Sequence, residues 1–529
     1  MEVPLLVSDF LNRAVKLYGT KEAVVDGDQR FTYAQYGARA YKLAHALAAL
    51  GVQRGDRVAI LSPNSHHFLE AFYGVSAIGA IIVPINYRLI ASDFEYIINH
   101  SGSTVLLADS DMTEVIDGIR NQITAVKHFV VARFEDAPTP NGWTDWEQLI
   151  AGRPDTPPAD PGLAENDLYS INYTSGTTAR PKGVMITHRN CYINAYDFIA
   201  HMRITHHDVE LWTLPMFHAN GWGGPFALTA MGATHVVLRR VVAADIYRLI
   251  EQEGVTFACM APAVLAAILD YPDKSKHTIT TRPRFTIAGA PPPVRFVERL
   301  EKELGWEFFE IYGLTETSPI LTVAEVAPHL NLEGDRLYQL KARAGHDAIG
   351  VDIRVFGASG VEVPWDDESV GEVAARSNVV FAGYWQQPEE TAKAIRDGWF
   401  YTGDLATVNA DGYINIVDRA KDVIISGGEN ISSIEVEDVL YKHPAVLEAA
   451  VIGVPSEQWG ETPMALVVLR DGASADEHEV IEFCRGHMAH FKVPHGVRFV
   501  SALPRTATGK LKKFELREEF WAGVARRVN

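Results

Sequence analysis

At 529 residues the chain has room for three to four domains of about 150 residues each. Hydrophobic side chains make up 47% of it and charged ones 22%, which supplies a large core and excludes global disorder. A formal net charge of −19 argues against nucleic acid or an anionic membrane as the main partner.

The three cysteines, Cys191, Cys259 and Cys484, lie far apart, form no CxxC motif and suit a reduced compartment. No basic segment followed by an apolar run opens the chain, so no signal peptide is expected. The most apolar window, 71–85, is too short and too rich in glycine for a bilayer span of about 20 residues. A cytoplasmic protein is the expectation. The charge is unevenly spread: residues 492–529 carry nine Lys/Arg against three Glu. That basic terminus reads either as a local anion site or as a solvated helix face.

From Arg57 short β-branched runs alternate with amphipathic segments. RVAILS, AIIVPI, TVLLAD and HFVVAR read as buried strands. HHFLEAFYGVSAIG and ASDFEYIINH read as the helices between them, the second capped by Ser92. Such alternation predicts parallel βαβ units. After a Pro/Asp/Gly-rich loop (153–162), DLYSINY reads as a further strand. The alternation then resumes through VELWTLP, THVVLRR, VTFACMAP, RFTIAGAP and WEFFEIYG, with the helix DIYRLIEQEG closed by Gly254. Around Gly350 the texture changes to short strands, DIRVFG, GEVAARS and YINIVDR, with a hairpin signal at Asp411-Gly412. This predicts a small antiparallel sheet or barrel. From about Lys421 a compact α+β unit of about 110 residues follows.

The stretch from Tyr173 to Val184, YTSGTTARPKGV, carries the first chemical signal. Thr174, Ser175, Gly176, Thr177 and Thr178 leave backbone N–H groups uncovered, which makes a concave anion site after a strand. Lys182 adds a positive charge suited to a polyphosphate. Pro181, standing where a Walker A loop has glycine, excludes that motif.

Six strings accompany this loop: PMFHANGW (215–222), TIAGAP (286–291), YGLTET (312–317), YTGD (401–404), DRAKDVIISGGENISSIEVE (418–437) and PRTATGK (504–510). In this order and spacing they resemble the adenylate-forming superfamily, which includes acyl-CoA synthetases, firefly luciferase and nonribosomal-peptide adenylation domains. The resemblance spans nearly the whole chain and is closest to fatty-acyl and aryl–CoA ligases. It implies a large α/β N-terminal domain (1–420) of βαβ-layered subdomains with a small antiparallel β-barrel. A mobile α+β domain (421–529) would then turn on a hinge at Lys421.

The resemblance also implies roles. A carboxylate attacks the α-phosphate of ATP to give acyl-AMP, and the thiol of coenzyme A then displaces AMP. Positioning and charge neutralisation dominate such chemistry. Glu316 resembles the magnesium-linked glutamate, with Thr174 beside it; a hard cation wants a carboxylate there. Tyr312 stacks on adenine opposite Gly289, Ala290 and Pro291, and Glu310, Ile311, Gly313 and Thr315 complete the nucleotide contacts. Asp404 resembles the aspartate that accepts both ribose hydroxyls, assisted by Arg419. Lys510 looks like the adenylation lysine, drawing two repelling anions together. Lys421, Ser426, Gly427, Gly428 and Glu429 are carried over as the coenzyme A passage, which rotation of the small domain exchanges for Lys510.

His218, Asn220, Gly221 and Trp222, with Gly289 and Gly313, are expected to line the acid's approach, and His218 is counted among the catalytic residues. Trp222 resembles an indole that gates the acyl tunnel. No acidic residue stands near this string to hold an α-amine, so an apolar carboxylic acid is favoured. Two departures stand out: Ala179 and Ala288 replace usual glycines, and ordinary negative φ is expected at both. The leading reading is an ATP- and Mg2+-dependent ligase for a short- to medium-chain fatty or arylalkanoic acid. A luciferase-like oxygenase, an enzyme loading a carrier protein and a non-catalytic nucleotide binder are the competing readings. The terminal Arg-Arg-Val-Asn, which is not a peroxisomal address, weighs against the luciferase comparison. A homodimer is common among such relatives.

Overall fold

The computed structural model describes the chain except residues 175–179, 290–291, 420–421, 427–428, 457, 506–510 and 523–529, and the side chains of 429 and 430. Two large sheets form the bulk of the N-terminal part. The first has eight strands centred on Arg57–Leu61, which pairs in parallel with Ile81–Ile85 and Val105–Asp109. Both flanking strands are buried at every residue, as expected of continuous apolar runs covered on two faces. At one end Leu168–Thr174 turns back antiparallel into Lys182–Thr187, so the hydroxyl-rich loop joins two paired strands.

The second sheet has nine strands. Val209–Trp212, Thr234–Val237, Phe257–Met260, Arg284–Ile287 and Glu307–Gly313 run parallel through its middle. Its far edge is a hairpin from the start of the chain, Glu22–Asp26 and Gln29–Thr32, docked on Thr234–Val237. The alternation pattern begins only at Arg57 and gave no sign of that hairpin. The helix His66–Ser76 is buried along its whole length, and one apolar core contains residues of both sheets and of this helix. A helix buried on every side is an interior element.

The helix Ala91–Ser101 is capped two residues earlier than expected. Ile90 occupies the cap position and the Asp93 carboxylate reaches back to its amide, so Ser92 is not the cap. Gly254 does end its helix, in the left-handed conformation (φ 64°). An antiparallel five-stranded sheet follows, in which Trp399–Val408 and Ile414–Arg419 pair across the Asp411-Gly412 turn (Gly412 φ 82°). Beyond Arg419 a second five-stranded sheet is packed by helices Ser433–Leu440 and Glu477–Arg485 around its own apolar core.

The basic terminus is largely neutralised. Lys492, Arg498, Arg505, Lys512, Lys513 and Arg517, which are all its described cations, each pair with a carboxylate. The three cysteines are free and buried. Among the described residues no helix is long and apolar enough to cross a membrane.

Arg239, just past a strand of the second sheet, clamps the end of the first. Its guanidinium holds both Asp109 oxygens at 2.7 and 2.8 Å, with a third bond to Asp111, and lies 3.9 Å from the Phe134 ring. The Asp109 side chain is 4% exposed, so removing the cation strands a buried charge. Arg239→Met is expected to cost about 3 kcal/mol in the urea transition that melts the two sheets. A loss below about 1 kcal/mol would contradict that coupling.

Candidate active site

The strands flanking the hydroxyl-rich loop set Thr174 opposite Lys182. Ser175, Gly176, Thr177, Thr178 and Ala179 lie outside the described residues. The Lys182 ammonium pairs with Glu390 Oε2 at 2.5 Å and sits 4.9 Å from the Tyr384 ring. Tyr384 belongs to a two-residue strand pairing with Val184 and Met185, and its hydroxyl donates to Glu316 Oε1 at 2.9 Å. Burial and the Glu316 carboxylate push the ionisation of that hydroxyl well above its ordinary value. One tyrosine thus joins the lysine of the loop to the glutamate of YGLTET.

On the other side of the cleft, Tyr312 ends a strand of the second sheet, and Asp404 and Arg419 are register partners in the antiparallel sheet. Tyr312 donates its hydroxyl to Asp404 Oδ2 at 2.7 Å, and Arg419 Nε approaches Oδ1 at 2.9 Å. The Asp404 side chain is 5% exposed. Its negative charge holds the Arg419 guanidinium more firmly protonated than usual and, together with burial, suppresses ionisation of Tyr312.

Between these groups opens a narrow cavity of about 30 Å3, lined by His218, Trp222, Gly289, Tyr312, Gly313 and Thr315 among others. Ile311 and Ala288 also contribute to its wall. Gly289 has φ 94°, whereas Ala288 is not among the residues with positive φ, in line with expectation. Ala290 and Pro291 lie outside the described residues. Any side chain at Gly313 would overlap the Pro319 carbonyl. Glu310 does not line the cavity. Its side chain points into the fold, where desolvation pushes the carboxyl well above its usual range.

The acyl string folds unusually. Ala219, Asn220, Gly221 and Trp222 are consecutive left-handed residues (φ 39°, 48°, 58° and 57°), and Gly223 follows at φ 90°. Three of these are not glycine, which costs about 1–2 kcal/mol each. Neighbouring side chains hold the turn in place. Asn64 donates to the carbonyls of Trp212 and Leu214 at 3.0 and 2.9 Å and accepts from Met216 N at 2.8 Å. Asn194 donates to Trp222 O at 3.2 Å and accepts from Ile320 N at 3.1 Å. Trp222 is left facing the cavity, 4% exposed. The same handedness turns Asn220 and Gly221 away from the cavity they were expected to line. The Asn220 amide donates to Ser170 Oγ at 2.9 Å, and a Cβ at Gly221 would stand 2.7 Å from the Trp212 ring.

Of the passage expected for coenzyme A, Ser426 ends a strand that pairs with Glu429 and Gly460. Lys421, Gly427, Gly428, the Glu429 side chain and Lys510 lie outside the described residues. Arg505 and Leu511, which bracket residues 506–510, are bridged to one another. Asp418 fastens the small unit's first long helix by accepting from Ser433 N at 2.9 Å.

Sequence reasoning missed Tyr384, Glu390, Asn64 and Asn194. Tyr384 stands in FAGYW, which carries no more than a short apolar signal. The asparagines act on distant backbone, which local pattern does not show.

Comparison with known proteins agrees with this geometry. The family model described as AMP-binding enzyme matches residues 11–385, and that described as AMP-binding enzyme C-terminal domain matches residues 435–510. The chain is 40% identical over 525 residues to 4-hydroxybutyrate–CoA ligase 2 of Metallosphaera sedula, covering 98% of this chain and 94% of the relative. It is 38% identical to 2-methylpropanoate–CoA ligase CCL4 of Humulus lupulus, covering 97% and 95% of the two chains. Among solved structures, the anthranilate CoA ligase AuaEII in complex with anthranoyl-AMP superposes with a TM-score of 0.89 at 27% identity, covering 98% of each chain. ATP-bound MatB from Rhodopseudomonas palustris gives 0.84 at 29% identity, covering 98% of this chain and 100% of that one. The chain belongs to the AMP-binding enzyme family and is an AMP-forming acyl-CoA synthetase.

Proposed function

We propose that this ligase activates a short carboxylic acid with an uncharged body, a fatty or arylalkanoic acid of short to medium length. The observation that carries the reading is the position of Tyr312. One face of it lines the cavity beside Trp222 and its hydroxyl is bonded to Asp404, so acid and nucleotide share one wall. No Asp or Glu is among the described residues lining the cavity, which favours an acyl body without a cationic group. The named relatives act on 4-hydroxybutyrate and 2-methylpropanoate, both small acids.

In this reading Asp404 accepts the ribose hydroxyls through lone pairs left free by Tyr312 and Arg419. Thr174 and the loop after it cradle the phosphates, and Lys182 leaves Glu390 to meet them. Lys510 brings the acid and the α-phosphate together. A carboxylate oxygen bonds to the α-phosphorus as the bond to pyrophosphate breaks. The thiolate sulfur of coenzyme A then bonds to the carbonyl carbon, and AMP leaves. Glu316 and the Thr174 hydroxyl would hold Mg2+ in this reading, oxygen donors of the kind a hard cation takes, with the Glu316 carboxylate fixed by the Tyr384 hydroxyl. Bound there, the ion would neutralise charge on the phosphates. The small domain begins at Lys421, pivots there, and brings Ser426 to Glu429 toward the thioester step. The three separate free cysteines suit a reducing, cytoplasmic setting.

Incubation with ATP, Mg2+ and a panel of acids, followed by coenzyme A, should yield AMP and acyl-CoA by mass spectrometry. Acyl-AMP that persists when coenzyme A is added would instead favour carrier loading. Lys510→Ala is expected to abolish adenylation yet still convert preformed acyl-AMP to thioester; equal loss of both half-reactions contradicts domain alternation. Trp222→Ala is expected to shift the preferred acid toward bulkier ones, and an unchanged profile would make the indole purely structural.

A further inference from the structure

The cation that the phosphates would need is already engaged. Lys182 Nζ lies 2.5 Å from Glu390 Oε2, and the two side chains stay open to water, 16% and 30% exposed. The other Glu390 oxygen, Oε1, meets Lys393 Nζ at 2.6 Å, one turn further along the helix Pro388–Ala394. Two ammonium groups on one carboxylate, Lys182 foremost, hold its ionisation down to about 2. Glu390 is therefore an anion at any working pH.

The backbone holds this acid beside the strand that carries Lys182. Gly383 and Tyr384 pair with Met185 and Val184, two and three residues along the strand Lys182–Thr187. Trp385 N donates to Gly183 O at 2.7 Å, and the hydroxyl of Thr391, next to Glu390, accepts from Tyr384 N at 2.8 Å. Strand and helix are thus tied together, and the ammonium is the movable part between them. A polyphosphate arriving here competes with Glu390 for one positive charge. When Lys182 moves to it, Lys393, 72% exposed, remains on the carboxylate, so the acid is never left bare. The competition acts on product as well as substrate. A lysine that grips the phosphates of ATP grips pyrophosphate too, and such uniform binding slows release.

We propose that Glu390 is the residue that takes Lys182 back from pyrophosphate after adenylation, loosening the first product so that it leaves the cleft. This rests on the reading above in which Lys182 meets the phosphates, and it adds the group that ends that contact. Glu390 acts through Lys182 and is a positioning residue. The same carboxylate weakens the entry of ATP, so looser substrate binding accompanies faster product release. Both effects come from charge, and a neutral side chain of the same shape lacks them.

The test measures, on the full-length enzyme, KM for ATP and the inhibition constant of added pyrophosphate. Glu390→Gln is expected to lower both together, by about two- to fivefold, the span that an exposed ion pair commands. Glu390→Asp, which keeps the charge, is expected to bring both back toward wild type. A merely structural role would not tighten pyrophosphate. Lys182→Met is expected to raise both constants, and adding Glu390→Gln to it to change neither further. If Lys182→Met raises both but Glu390→Gln alone leaves pyrophosphate inhibition unchanged or weaker, the role of Glu390 is overturned while that of Lys182 stands. If Lys182→Met moves neither constant, the phosphate reading of Lys182 falls and this inference with it.

Discussion

The arrangement depends on one carboxylate. Asp404 is almost wholly removed from water, so it must be partnered, and its two partners come from different parts of the chain. Tyr312 ends the fifth parallel strand of the second sheet, and Arg419 is the last described residue before the proposed pivot. Desolvation therefore welds the antiparallel sheet to the cleft wall and fixes where the small unit is attached. Two of the roughly four lone-pair positions of the carboxylate remain for a ligand. The same tyrosine lines the small cavity beside Trp222, so in the proposed function the geometry of the nucleotide side carries over to the acid side.

The acyl turn shows the complementary design, in which strain is held by hydrogen bonds. The unfavourable backbone of Ala219, Asn220 and Trp222 persists because Asn64 and Asn194 grip the main chain on either side of it. These asparagines come from the first sheet's loop and from the helix His188–His201, so the turn takes its shape only when both are in place. The handedness turns Asn220 and Gly221 away from the cavity, Asn220 onto Ser170 and Gly221 against the Trp212 ring.

The sequence was most legible where chemistry is local. Continuous apolar runs such as 81–85 and 105–109 marked the parallel strands, Gly254 marked a helix end, and Asp411-Gly412 marked a hairpin, because each is dictated by its own residues. Ser92 misled because the reach of Asp93 back to Ile90 starts the helix two residues sooner. The N-terminal hairpin was invisible, since its pairing with Thr234–Val237 depends on residues some two hundred positions away. Asp404, Arg419 and Tyr312 stand in strings that the sequence singled out, and the structure brings them into contact, which nothing in those strings gives. Tyr384 and Glu390 escaped because their roles exist only once a two-residue strand docks beside Lys182.

The central claim is that one cleft activates the acid through its own carboxylate oxygen and then releases that oxygen on the nucleotide. A single turnover with an acid whose carboxylate carries heavy oxygen, analysed by mass spectrometry of the nucleotide products, tests it directly. The account predicts AMP bearing one labelled oxygen and unlabelled pyrophosphate. Unlabelled AMP, or ADP with labelled phosphate, would contradict it.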